Sequence, residues 1–182
     1  MTDLSQIIQG RRTIHQFVED KPVADELINA ALDHAVCAPN HYHTRPWHFY
    51  LLKRETVKQV CELNAALLVE QQGKQSAAVK LRRWLQVPGW LLLTCDINED
   101  PVRMDEDYAA CCCAAQNMML YLWQQGVGVK WTTGEVTRAQ RFFQLMQIDP
   151  AREKVVGLFW YGYPAEVPSG QRQPGAEWLQ HR

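Results

Sequence analysis

The chain lacks a charge bias: 19 Lys and Arg stand against 20 Asp and Glu, a net charge of −1 over 182 residues. Proteins that hold nucleic acid or anionic membrane surfaces usually show a basic excess, so neither class of partner is expected. Long apolar runs are missing as well. No stretch approaches the ~18 residues of a membrane span, and residues 1–6 lack the basic and then apolar regions of a signal peptide. A cytoplasmic protein without a membrane partner is expected. The six cysteines form no C-x-x-C pair. Cys111, Cys112 and Cys113 are consecutive, so on a helix they point in three directions and do not converge on one ion. Cys37, Cys61 and Cys95 are isolated. All six read as small buried hydrophobes of a reducing compartment. His41 and His43 have no third ligand at helical spacing, so no metal is expected. There is no G-x-G-x-x-G after a first strand, no Walker loop, no G-x-S-x-G and no H-E-x-x-H. That argues against a Rossmann dinucleotide site and the common hydrolase and metalloprotease sites.

What is present is a chain able to build a core, with 47% hydrophobic residues. Residues 4–9 suit a short helix, with Asp3 as N-cap and Gly10 as its stop. Leu27, Ala31 and Ala35 recur every four residues, with Ile28 and Leu32 beside them, which predicts a helix over 22–37 ended by Pro39. Residues 47–52 and 90–95 read as strands, and 55–86 as helix broken at Gly73. Residues 98–101 read as a loop. The helix expected over 107–125 contains only Ala and Cys between 109 and 115, and a helix without a polar face is buried on all sides. Such burial is easier to arrange in a dimer, although an ordinary core helix also fits. A strand and turn follow over 126–134. Thr137-Arg138-Ala139-Gln140 has the capping-box pattern and should open a helix to about Gln147. A last core strand spans 155–163, and the tail from Pro164 should wrap the surface or a partner. Helices and strands mix without regular βα alternation, which favours an α+β layered fold. No repeat or linker divides the chain.

The densest chemistry lies at 38–47, Ala-Pro-Asn-His-Tyr-His-Thr-Arg-Pro-Trp, which has neither helical nor strand period. A rigid, donor-rich loop between regular elements suits a site; an ordinary connection whose prolines stop the helix suits it equally. Arg11-Arg12-Thr13 sets two guanidiniums and a hydroxyl just after a helix. Guanidinium matches phosphate oxygens bidentately, although taken alone the segment is explained more simply as a solvated helix end. Arg172 adds a cation in the tail. Thr132-Thr133-Gly134 offers hydroxyls and backbone N–H groups suited to the heteroatoms of a flat heterocycle.

Arg11-Arg12-Thr13, the 38–47 loop, 126–134 and the 156–164 strand with Gly162-Tyr163-Pro164 occur in the order seen in the FMN-dependent nitroreductase family. The chain resembles its compact branch, similar to the small nitroreductases of enteric bacteria. The resemblance spans about 4–177. It implies a single FMN-binding domain over 1–182, with a three-layer fold: a mixed, mostly antiparallel sheet flanked by helices. It also implies a homodimer with FMN at the interface. The family's R-R-S reads here Arg11, Arg12, Thr13, which would hold the FMN phosphate and ribityl chain, with Arg172 as a further phosphate contact. Trp131, Thr132 and Thr133 match the strand beside the isoalloxazine. Cys37, Pro39 and His41 would reach the flavin bound mainly by the other subunit, and residues 121–126 match a region linked to the nicotinamide cofactor. His43 and Arg45 stand where the family often has Asn and Gln, which bears on substrate choice.

The activity implied is that of an NAD(P)H oxidoreductase. It passes a hydride from NAD(P)H through flavin N5 to a nitroaromatic, quinone or similar electron-poor small molecule. The protein supplies binding, orientation and electrostatics; no side chain need be a nucleophile, and His41 is the candidate for delivering a proton. Two other readings stay open. One is an FMN-binding protein of the same fold that serves flavin reduction for a partner, flavin breakdown or redox sensing. The other is a flavin-free helical interaction protein.

Overall fold

A computed structural model describes residues 3–182. Four strands form one sheet in the order β1-β2-β4-β3: β1 (Trp47–Leu51), β2 (Gly89–Asp96), β3 (Gly128–Thr132) and β4 (Glu153–Gly162), all paired antiparallel. Outside these four strands, Thr13 makes an isolated parallel bridge to Val129. Five α-helices accompany it: α1 (Leu4–Gly10), α2 (Asp25–Ala35), α3 (Arg54–Leu85), α4 (Pro101–Gln124) and α5 (Gln140–Met146). None of the helices among the described residues is long and apolar enough to cross a membrane.

The pleat separates two cores. On β2, Leu91, Leu93 and Cys95 face one core, with α4 against the sheet and α2 beyond it. Trp90 and Leu92 face the other, formed with α3 and α5. Alternation of two apolar faces is what a central strand of a three-layer α+β fold requires. The register shifts between Leu93 and Thr94, and the extra residue on β4 lets Val156 and Leu158 serve opposite cores.

Local chemistry accounts for most element ends. Gly126 takes φ 77 after α4; its N–H bonds Trp123 O and the Val127 N–H bonds Leu122 O, the paired bonds of a glycine-terminated helix. Gly73 breaks α3 at φ 81, ψ 165, a conformation open essentially to glycine alone. Three expectations are corrected. The fourth helix starts at Pro101 rather than 107; Asp100 caps it by accepting from the Val102 N–H, so the loop expected over 98–101 ends at the cap Asp100. Thr137 does not open α5: its hydroxyl donates back to Gly134 O, a 3-10 turn occupies Glu135–Arg138, and α5 begins at Gln140. The helix of small residues is not buried all round, because Ala109 and Cys113 are exposed while Ala110, Cys111, Ala114 and Ala115 are buried. The same is true of the cysteines: Cys61, Cys95 and Cys111 are buried, whereas Cys37 and Cys113 are exposed.

Candidate functional site

After α1 the chain runs beside β3. The Thr13–Val129 bridge and the Ile14 N–H to Val129 O bond hold the segment, and Gly128 permits its approach, since a Cβ there would collide with Ile14. The Arg11-Arg12-Thr13 motif is thereby fixed next to the strand that carries Trp131-Thr132-Thr133. The tail completes the arrangement: Arg172 donates to Arg11 O at 2.9 Å and Arg12 donates to Gly170 O at 3.0 Å. The tail thus folds over residues 11–12 of its own chain.

Three guanidiniums are gathered there without a carboxylate. None of Arg11, Arg12 and Arg172 belongs to an ion pair among the described residues. Burial, then Arg172 and Arg12, lowers the Arg11 pKa, and Arg11 Nε is buried with no hydrogen-bond partner. Buried donors are almost always paired, so an unpaired guanidinium nitrogen among like charges marks a place for an anion with several oxygens, such as phosphate.

A cavity of about 440 Å³ opens between α3 and the β3–β4 part of the sheet, on the strand that the Thr13 bridge joins. Trp131, Thr132 and Gly134 contribute to its wall. The polar groups of Trp131 and Thr132 are used internally: Trp131 Nε1 donates to Val156 O and Thr132 Oγ1 to Leu158 O, each at 3.0 Å. The Trp131 indole packs against Phe159 on the α4 side of the sheet, so what this strand presents to the cavity is mainly backbone. Thr133 O accepts from Arg138, which secures the turn after the strand.

Residues outside the sequence motifs also line the cavity: Lys80 and Arg83 from α3 and Lys130 from β3. Burial, then Arg83, lowers the Lys130 pKa. His15 lies near these cavity cations; burial, then Lys130 and Arg83, lowers its pKa, and Arg83 donates to its carbonyl at 3.2 Å. The signal for Lys130 was present in the sequence as a lysine within an otherwise apolar strand. Lys80 and Arg83 are three apart on a helix rich in surface charge and carry no such mark.

The 38–47 loop lies elsewhere. Asn40 organises it, donating to Thr44 Oγ1 at 2.9 Å and accepting from the Arg45 N–H at 2.7 Å. Tyr42, His43 and Arg45 take positive φ of 59, 53 and 52, strain that persists only where the surroundings impose it. Two tethers to α4 do so: Thr44 donates to buried Asp107, and His41 Nδ1 lies 3.0 Å from Glu106. Cys37 donates to Asp33 O at 3.3 Å, and Pro39 and His41 are exposed. The cradle sits at the other end of α4, where Gly10 approaches Trp123. Asp107 and Trp123 are separated by about 24 Å along the helix, at about 1.5 Å per residue. One chain therefore holds Arg11, Arg12, Thr13 and Arg172 near the C-terminal end of α4 and tethers His41 near its other end, whereas the end of α2 before Cys37 packs beside residues 117–121, where His34 stacks on Tyr121.

The sequence pattern of the Nitroreductase family matches residues 8–163. A Bacillus subtilis (strain 168) protein, YfhC, provisionally named an NAD(P)H nitroreductase, is 29% identical over 174 residues, covering 93% of this chain and 89% of its own. A nitroreductase-like family protein from Bacillus cereus superposes with a TM-score of 0.87 at 28% identity, covering 100% of this chain and 97% of that one. A mutant of NfnB, an FMN- and NADPH-dependent nitroreductase from Sphigopyxis sp. strain HMH, superposes with a TM-score of 0.81 over 100% and 99% of the two chains. At 16% identity it shows the fold alone. With the family pattern spanning cradle, cavity strand and loop, the chain belongs to the nitroreductase family.

Proposed function

We propose that the chain is an FMN-dependent NAD(P)H oxidoreductase acting on nitroaromatic, quinone or similar electron-poor acceptors. In this reading it is one domain over 1–182 and works as a homodimer with the flavin at the interface. The observation that carries it is the cradle: three guanidiniums without a carboxylate, one holding an orphaned buried Nε, beside a strand and cavity suited to a flat ring. The residues fit FMN, whose phosphate supplies the missing anion. The flavin and nicotinamide in the names of relatives agree with that anion.

Arg11, Arg12 and Arg172 would hold the phosphate, and the Thr13 hydroxyl the ribityl chain. Trp131, Thr132 and Thr133 would line one side of the ring mainly through backbone. Bound FMN supplies two-electron transfer from NAD(P)H to the acceptor. Lys130 and Arg83 contribute a positive field at the ring cavity, which favours negative charge there. Cys37, Pro39 and His41 of one protomer would cover the flavin held by the other; His41, tethered to Glu106 about 24 Å along α4 from the cradle end, is the residue for which a second copy is needed. His41, held by Glu106, is the group placed to deliver a proton. The exposed Ala109 and Cys113 on α4 are small enough for a second helix to approach closely.

The test is an absorbance spectrum of the purified protein after addition and removal of excess FMN, followed by anaerobic NAD(P)H titration. Retained flavin that bleaches with one equivalent of reductant and recovers on adding a nitroaromatic or quinone is expected. A colourless protein would refute flavin binding, and retained flavin without acceptor turnover would refute the oxidoreductase reading.

A further inference from the structure

The cavity between α3 and the sheet holds more positive charge than a flavin ring needs. Lys80, Arg83 and Lys130 line it, and no Asp or Glu does. None of the three is in an ion pair among the described residues. Their polar contacts are neutral: Lys80 donates to Gln72 Oε1 at 2.9 Å, Arg83 to the His15 carbonyl, and the Lys130 ammonium lies 4.6 Å from the centroid of the Trp160 ring. Glu135, near the rim, is engaged by Gln71. Like charges crowded in a partly desolvated wall raise the energy of the empty site and strengthen binding of an anion there. The phosphate has its own three guanidiniums in the cradle. The flavin ring carries at most one negative charge, so Arg83 and Lys130 suffice for it and Lys80 remains.

Resting on the flavin reading above, we infer that the electron acceptor is itself an anion: a flat, electron-poor aromatic bearing a carboxylate or sulfonate that Lys80 receives. The acid group is a spectator that orients the acceptor. For a nitroaromatic acid, reduction of the nitro group to nitroso consumes two electrons and two protons and releases water. NAD(P)H supplies the hydride, and the second proton comes from solvent by way of His41.

The test uses the full chain loaded with FMN and two probes of nearly equal shape, 4-nitrobenzoate and 4-nitrobenzamide. Binding to the oxidised protein is measured by calorimetry, without turnover. At low salt the carboxylate should bind at least about tenfold more tightly, with an advantage that shrinks as ionic strength rises. The preference should fall to within about twofold in Lys80→Gln and return in Lys80→Arg. In anaerobic rapid mixing, the same preference should appear in reoxidation by the acceptor. Equal binding of the two probes, or an effect of Lys80→Gln confined to reduction by NAD(P)H, would overturn the inference; the latter would assign the charge to the reductant's phosphates. Failure to retain FMN is read from absorbance before either probe is added and overturns the flavin reading itself. A flavin-loaded protein indifferent to probe charge overturns this inference alone.

Discussion

Arg11 carries an unusual combination for a surface-derived arginine: its Nε is buried without a partner and its neighbours Arg12 and Arg172 share its charge. Removing one guanidinium from such a cradle should weaken anion binding without costing the ligand-free fold a favourable ion pair. Arg11→Gln is expected to raise the FMN Kd at least about tenfold, some 1.4 kcal/mol, with Tm of the flavin-free protein unchanged or slightly higher. Quenching of flavin fluorescence and thermal melts of the stripped protein check both halves. His15 makes a pH prediction of defined sign. Burial, Lys130 and Arg83 lower its folded pKa below the ordinary 6.5. Above that value the ring is neutral in both states and contributes no linkage. As pH falls below it, the unfolded chain binds a proton that the folded one resists, so stability is lost. Tm of the wild type should therefore drop more steeply than that of His15→Gln between pH about 7 and 5; parallel curves would refute the assignment.

At the scale of elements, the site depends on an unpaired strand-like segment being held against β3. Gly128 is the hinge of that contact, because any side chain there meets Ile14 and Pro164. Gly128→Ala should cost about 1–3 kcal/mol through overpacking and, by pushing residues 12–14 outward, should also weaken FMN retention. Chemical denaturation together with a flavin titration tests it, and loss of stability without loss of flavin affinity would separate the cradle from the strand. Elements with strong local signals were readable in the sequence: Gly126 and Gly73 marked their breaks, and β2 was evident from a run of apolar residues. The misses have local causes. Asp100-Pro101 resembled a loop although the pair is an N-cap followed by proline in the first turn of α4. Thr137 matched a capping pattern, but its hydroxyl found Gly134 O within a 3-10 turn instead.

The arrangement of the whole molecule turns on α4, which separates the cradle from the 38–47 loop by its length. The small-residue stretch divides into a core-facing set, with Ala110 4% exposed, and an outward set that includes Ala109 and Cys113. The two should respond differently to charge. Ala110→Glu buries a carboxylate in the core and should abolish folding, whereas Cys113→Arg should leave a folded protein that sediments at half the dimer mass and retains FMN poorly. A Cys113→Arg protein with unaltered mass and flavin content would remove this face from the interface.

Most strand and helix identities, the layered α+β class and the family resemblance were determined by the sequence, because each rests on neighbouring residues or on spacing along one element; the resemblance in turn marked Arg11-Arg12-Thr13 as the candidate phosphate-binding motif. Tertiary structure decided what local pattern does not encode. It placed Arg172 against Arg11 across the length of the chain and set Arg12-Thr13 beside Val129. It also converged Lys80, Arg83 and Lys130 on one cavity from a helix and a strand distant in sequence. It tethered His41 to Glu106, near the end of α4 away from the cradle. Proximity between residues far apart in sequence follows from how two cores pack on opposite faces of one sheet, and that packing is a property of the whole fold.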